Sequence, residues 1–157
     1  MIETNGDIWN YYNDGYWVCI PTNGNTKKDN TAIMGKGLAL QASIKIPELP
    51  RILGQRINLY KDTPYKGNKL NPFPDIHLFC FPTKFNWQEK SDLYLIAVSA
   101  FELQDYLESA YFTVKTPIYL PRVGCGLGEL YWENVKPILQ RYLDDRFVIV
   151  NRNKDTN

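Results

Sequence analysis

The sequence predicts an α/β layered domain built on a largely buried sheet, and three features carry that expectation. Short apolar runs bounded by turn residues alternate with segments of helical periodicity, the pattern of strands separated by crossover helices. No apolar run approaches the roughly 20 residues that a membrane-spanning helix needs. Two glycine-rich turns, Met34-Gly35-Lys36-Gly37 and Val123-Gly124-Cys125-Gly126-Leu127-Gly128, stand where a strand should give way to a helix. In such a sheet the ligand lies beyond the carboxyl ends of the strands, where both turns fall.

Taken in order, the Ile2 region supplies an edge strand, and Asp7 ahead of Ile8-Trp9-Asn10 has the residue type of a helix cap. Trp17-Val18-Cys19-Ile20, closed by Pro21-Thr22-Asn23-Gly24, reads as a buried strand. Residues 38–46 form a short helix after the first glycine turn, stopped by Pro47, with a further turn of helix at 49–53. Residues 61–75 hold Pro64, Gly67, Pro72 and Pro74, the composition of a surface loop or irregular hairpin. A second buried strand covers residues 76–81, bounded by Pro82-Thr83. Leu93, Ile96, Ala97, Ala100, Leu103 and Leu107 recur at helical spacing and give one apolar face. Pro117-Ile118-Tyr119-Leu120 is a third strand, running through Pro121-Arg122 into the second glycine turn. Val135, Ile138, Leu139 and Tyr142 mark a helix beginning near Trp132; its start is open, because Pro137 removes a backbone bond from the helix interior. Phe147-Val148-Ile149-Val150 is the fourth buried strand.

With 157 residues, 44% hydrophobic and 22% charged, the chain has the size and balance of one domain with its own core. Eighteen basic against 17 acidic residues leave a net charge of +1, which disfavours a broad DNA-coating surface but suits a small anion or one nucleotide at a strand end. Cys19, Cys80 and Cys125 are widely spaced and accompanied only by His77, which argues against a zinc site and a disulfide framework. Cys19 and Cys80 fall in strands as buried thiols, and Cys125 fills its turn rather than acting as a nucleophile. The first seven residues lack the basic start and apolar run of a secretory signal, so the expected location is the cytoplasm.

Backbone N–H groups at helix starts and in glycine turns bind phosphate oxygens without any basic side chain, and glycine lets the backbone approach the ligand closely. Two such turns in corresponding places suggest a diphosphate held between them. At these residues the sequence resembles the macro domain, a family of ADP-ribose-binding modules and ADP-ribosyl hydrolases, over nearly the whole chain. Gly6-Asp7-Ile8 matches the family's early Gly-Asp-Ile/Leu motif, and Ile20-Pro21-Thr22-Asn23 the strand that ends in asparagine. Met34-Gly35-Lys36-Gly37-Leu38-Ala39 and Leu120-Pro121-Arg122-Val123-Gly124-Cys125-Gly126-Leu127 match the two phosphate loops. The resemblance implies a three-layer α/β/α macro domain with a central mixed, mostly parallel sheet, spanning residues 1–157 as a single domain.

Within the family, Phe81-Pro82-Thr83-Lys84 is similar to the branch of DNA-ADP-ribose glycohydrolase antitoxins and terminal ADP-ribose protein glycohydrolases, which carry a lysine at the end of this strand. The protein glycohydrolases also use an aspartate just after the second loop, where this chain has Gly128; that departure favours the DNA-type antitoxins. The first loop, Met-Gly-Lys-Gly after an insertion-like segment at 24–32, also departs from the many-glycine loop of common macro domains.

The resemblance assigns roles residue by residue. Asp7 and the N–H of Ile8 would read adenine, an alternative to the plain helix-cap role of Asp7. Asn23 would orient the distal ribose, with Asn25 a rival because the insertion blurs the register. Met34, Gly35, Lys36, Gly37, Pro121, Val123, Gly124, Cys125, Gly126, Leu127 and Gly128 would enclose the pyrophosphate, Lys36 adding a point charge or remaining solvated. Lys84 would attack or polarise the anomeric carbon, and an attacking amine must be uncharged. Phe85 and Trp87 would stack on a modified base or pack in the core, while Arg122, Glu129 and Glu133 need no more than surface pairing or a helix-start charge. The implied activity is hydrolysis of an ADP-ribosyl linkage, on a base of single-stranded DNA. The alternatives are removal of phosphate from ADP-ribose 1″-phosphate, a non-catalytic ADP-ribose binder, or a nucleotide-binding α/β domain of another kind. No metal and no cofactor is implied.

Overall fold

Alternation along each central strand sends neighbouring side chains to opposite faces of one sheet, and so builds two separate cores. The computed structural model describes residues 1–152, and the expected domain end at residue 157 lies outside them. The elements are β1 (Ile2–Asn5), α1 (Ile8–Asn13), β2 (Trp17–Asn23), α2 (Leu38–Lys45), α3 (Leu49–Tyr60), β3 (Asn71–Phe73), β4 (Leu78–Lys84), α4 (Leu93–Glu108), β5 (Ile118–Leu120), α5 (Trp132–Tyr142) and β6 (Phe147–Asn151). The six strands lie in the order β1-β6-β5-β2-β4-β3. All neighbours are parallel except β3, which runs antiparallel to β4.

On one face Trp17, Cys19, Phe79, Phe81, Ile118, Leu120, Phe147 and Ile149 pack against α4 and α5 through Ile96, Ala100, Leu103, Val135 and Leu139. On the other, Val18, Ile20, Leu78, Cys80 and Val150 pack against α1, α2 and α3 through Ile8, Ala42, Leu53 and Ile57. The result is three layers, helices on both faces of a mixed, mostly parallel sheet. Phe79 and Phe81 are fully buried, and truncating either to alanine should cost about 3–5 kcal/mol. Among the described residues, no helix is long and apolar enough to cross a membrane.

Local chemistry fixes the helix starts. Asp7 caps α1 by accepting the Trp9 N–H at 2.9 Å, and Asp92 caps α4 by accepting the Leu95 N–H at 2.9 Å. Such caps contribute about 1 kcal/mol each.

Three expectations need correction, and one boundary left open is settled. The strand placed at 76–81 begins at Leu78, because Pro74–Ile76 is a 3₁₀ turn and His77 turns left-handed at φ 39°. The single helical turn at 49–53 is a helix reaching Tyr60: Gly54 does not end it, since an added Cβ there would overlap the Asn30 carbonyl, and that close approach is what the glycine serves. Helix α5 starts at Trp132 despite Pro137, which sits on its exposed side. The second glycine turn does not open α5; it forms a 3₁₀ turn at Gly126–Gly128, with Tyr131 the N-cap further on. The 61–75 excursion ends as the edge strand β3, where Asn68, Leu70, Asn71 and Phe73 are buried.

Candidate functional site

A cleft of about 750 Å³ opens at the carboxyl ends of β2, β4, β5 and β6. Parallel strands order this end because their carboxyl termini emerge together, and the loops that follow form its walls. The first glycine turn leads into α2 with Gly37 as N-cap, and Gly35 takes φ 69°. In the second turn Gly124 and Gly126 take φ 77° and 72°. The two turns meet: a Cβ placed on Gly37 would stand 3.4 Å from Leu127 Cδ1. The N–H groups of Val123 and Cys125 bond to the Pro121 and Arg122 carbonyls just ahead of the second turn, and those of Glu129 and Leu130 to the Gly126 and Gly124 carbonyls within it. Those of Gly126, Leu127 and Gly128 begin the 3₁₀ turn, where N–H groups lack partners within the turn.

Lys84 ends β4 and is the register partner of Asn23, which ends β2. The pairing jumps from Thr22↔Pro82 to Asn23↔Lys84, leaving Thr83 as the extra residue of a bulge. A bulge re-aims the side chain that follows it, and both Asn23 and Lys84 line the cleft. Asn23 is held from both ends of its amide: Nδ2 donates to the Ile33 carbonyl at 2.8 Å and Oδ1 accepts the Asn25 N–H at 2.9 Å. Asn25 does not line the cleft; its Oδ1 accepts the Trp87 N–H at 2.8 Å and anchors the loop after β4. Trp87 lines the cleft and is 44% exposed, so core packing does not explain it, whereas Phe85 is half-buried and lies outside the lining.

Asp7 combines two positions, since it caps α1 through Oδ1 and also lines the cleft beside Ile8. Met34, Gly35, Lys36, Gly37, Pro121, Gly124, Cys125, Gly126, Leu127 and Gly128 line it as well. Val123 does not: it is fully buried in the core beneath α4 and α5. Burial pushes the Cys125 thiol up, against a smaller opposing pull from Arg122, which keeps it protonated and unsuited to nucleophilic attack. Arg122 is paired as the sequence suggests, 3.6 Å from Glu3 and over the Trp132 ring. Among the described residues, the charged side chains that line the cleft are Lys36, Lys84, Arg122 and Arg152 on the cationic side and Asp7 on the acidic side, so an almost neutral chain gathers cationic residues here. Among the described residues, no group of three His, Cys, Asp or Glu gathers as a metal site.

Sequence reasoning missed Thr83, Ser91 and Gln41, which also line the cleft. Gln41 accepts the Trp9 Nε1–H at 2.7 Å and ties α2 to α1. Ser91 backs the second turn, its N–H donating to the Gly128 carbonyl at 3.0 Å. Thr83 falls inside the Phe81-Pro82-Thr83-Lys84 motif without being singled out, and no local pattern marks Ser91 or Gln41, which reach the cleft only through long-range packing. The contact also bears on Gly128, where an added Cβ would overlap Ser91 Oγ, so an acidic side chain cannot enter there without displacing the serine.

A mixed sheet in this strand order, with two glycine turns meeting across its carboxyl end, is the macrodomain fold. Solved structures similar to this chain share it. The macrodomain of Mycobacterium tuberculosis DarG superposes with a TM-score of 0.72 at 23% identity, over 95% of each chain. Thermosipho africanus DarTG in complex with ADP-ribose gives 0.74 at 19% identity, over 99% of this chain and 42% of that one. The macrodomain of Thermus aquaticus DarG gives 0.70 at 19% identity over 97% of each. No protein-family model and no curated protein sequence matches the chain.

Proposed function

We propose that this chain is a single macro domain that binds ADP-ribose and hydrolyses an ADP-ribosyl linkage on a DNA base. The observation that carries the reading is the register pair Asn23–Lys84, set at the strand ends beside two converging glycine turns. The likeness of fold to DarTG, solved with ADP-ribose, supports the choice of ligand.

In this reading the Asp7 carboxylate and the Ile8 N–H take adenine, and the backbone of both turns takes the pyrophosphate. Lys36 adds charge from an exposed position. The carboxamide of Asn23, fixed by Ile33 and Asn25, orients the distal ribose hydroxyls. That leaves the anomeric carbon facing Lys84, which attacks it or polarises it for departure of the base. The glycosidic bond to the base breaks, the base regains a proton, and the hydroxyl of water ends on the anomeric carbon to give free ADP-ribose. Positioning and general acid–base assistance of this kind are worth about 10²- to 10⁴-fold in rate. Trp87, anchored by Asn25, is placed to stack on the modified base, a contact worth roughly 1–3 kcal/mol.

The test incubates the protein with ADP-ribosylated thymidine oligonucleotide, glutamate-linked ADP-ribosyl protein and ADP-ribose 1″-phosphate in parallel. Release of ADP-ribose from the oligonucleotide is expected. Lys84→Ala should bind ADP-ribose with unchanged affinity and lose at least about 100-fold in turnover. Full turnover by that variant removes the lysine from the chemistry. Binding of ADP-ribose with no substrate consumed makes the domain a reader or sequestering module instead.

A further inference from the structure

Ser91 presents an uncommon combination for a hydroxyl in a folded chain. It is 6% exposed, its Oγ makes no hydrogen bond with any described residue, and it lines the cleft. Buried hydroxyls are nearly always partnered, so an orphan facing a cleft marks a place where a ligand atom completes the bonding. The position is also fixed. The Ser91 N–H is tied to the Gly128 carbonyl, and the Asp92 N–H to the Thr83 carbonyl at 2.8 Å, so the Ser91–Asp92 pair bridges the second glycine turn and the strand end that carries Lys84. Its side chain fills the space behind the turn: a Cβ added at Gly128 would overlap its Oγ, and one at Gly124 would come within 3.3 Å of its Cβ.

We infer that Ser91 is a ligand-binding residue, whose hydroxyl donates to an oxygen of the phosphate held by the second glycine turn. A hydroxyl donor suits this place because a phosphate oxygen accepts a charge-assisted bond, which is stronger than one to a neutral acceptor. It adds a side-chain donor to a turn that otherwise offers only backbone N–H groups. The glycine at 128 then has a second purpose, since any side chain there would push the donor out of place. This inference rests on the proposed binding of ADP-ribose.

The experiment compares wild type, Ser91→Ala and Ser91→Cys by calorimetric titration with ADP-ribose and with ADP, and by melting temperature without ligand. Ser91→Cys keeps the shape but donates poorly. Both variants should bind both ligands roughly 10- to 100-fold more weakly, the loss of one charge-assisted hydrogen bond. Without ligand, Ser91→Ala should melt no lower than wild type, since it removes an unpartnered buried group. Wild-type affinity in Ser91→Ala overturns the inference and leaves the proposed function standing. Weaker binding of ADP-ribose with unchanged ADP affinity overturns the phosphate assignment, because ADP lacks the second ribose. Weakening that merely follows a fall in the melting temperature of both variants makes Ser91 structural and also overturns it. Failure of wild type itself to bind ADP-ribose removes both proposals.

Discussion

The two glycine turns face the same cleft but are built differently. The first is open: an added Cβ on Gly35 meets nothing within 4 Å, and the turn is steadied indirectly, through Asn23 holding the Ile33 carbonyl. The second is backed by a wall. A Cβ on Gly124 would lie 2.7 Å from Ile96 Cδ1 and 3.0 Å from Leu130 Cδ1, and Gly128 is closed by Ser91. Only Gly126 in the second turn has the free surroundings of Gly35. In the proposed reading a glycine of the open kind serves ligand approach, whereas a packed one serves the fold first and the ligand second.

Substitutions that separate approach from packing sharpen this contrast. The Cβ of a valine at Gly35 or Gly126 meets no protein atom within 4 Å, but the side chain projects where the proposed ligand must come and strains a left-handed backbone. Each should lower ADP-ribose affinity by at least about 100-fold, more than 2.7 kcal/mol, with only a modest fall in melting temperature. Equal affinity in either variant, read by calorimetry, would break the idea that backbone approach carries binding. Gly124→Ala should act in the opposite sense. Its positive φ and the overlap with Ile96 and Leu130 should destabilise the fold by about 2–4 kcal/mol, seen as a lower midpoint in urea. A stable Gly124→Ala protein would erase the distinction between the turns.

Smaller effects follow. Lys36 is exposed, so Lys36→Ala should weaken binding only by a few-fold, about 1 kcal/mol or less, and more at low salt than at high. The last prediction concerns a region far from either turn. The hydrogen-bonded Arg146 guanidinium holds the Asp144 carboxyl down to about 2. An unfolded aspartate titrates near 3.9, so the folded value is the depressed one. Its contribution to stability is present above about pH 4 and lost as the pH falls through about 2. Asp144→Asn should melt slightly lower than wild type at neutral pH, with the difference closing in that acid window, and ligand affinity should not change.

What the sequence revealed follows how local each signal is. Helix α4 was legible because its spacing of Ile96, Ala100, Leu103 and Leu107 depends on the chain alone, and the central strands because buried parallel strands are apolar throughout. The reach of α3 beyond Leu53 was not, since glycine is a poor helix former and the Asn30 carbonyl that requires Gly54 is distant in sequence. Pro137 left the start of α5 open because its cost depends on tertiary placement, which here is an exposed turn. In the site, the glycine turns and Lys84 were legible through motifs. The place of Asn25 was not, because the bond to Trp87 that turns it away spans an insertion and a strand. Val123 belongs to the same turn motif but is drawn into the core, which no turn pattern reveals. Ser91 was hidden for the most general reason, a serine ahead of a capping aspartate having every appearance of ordinary helix-start punctuation.

Strand β6 lies between β1 and β5, so the first strand pairs with the rest of the sheet only through residues 147–151. A chain leaving the ribosome with its N-terminus first must carry β1 without a strand partner until those residues have been made. Asn151, which accepts the Gly6 N–H and lines the cleft, arrives at the end of that wait. The end of the cleft where adenine recognition by Asp7 and Ile8 is proposed therefore depends on the last strand, and a translation product stopped before Phe147 would leave it unassembled.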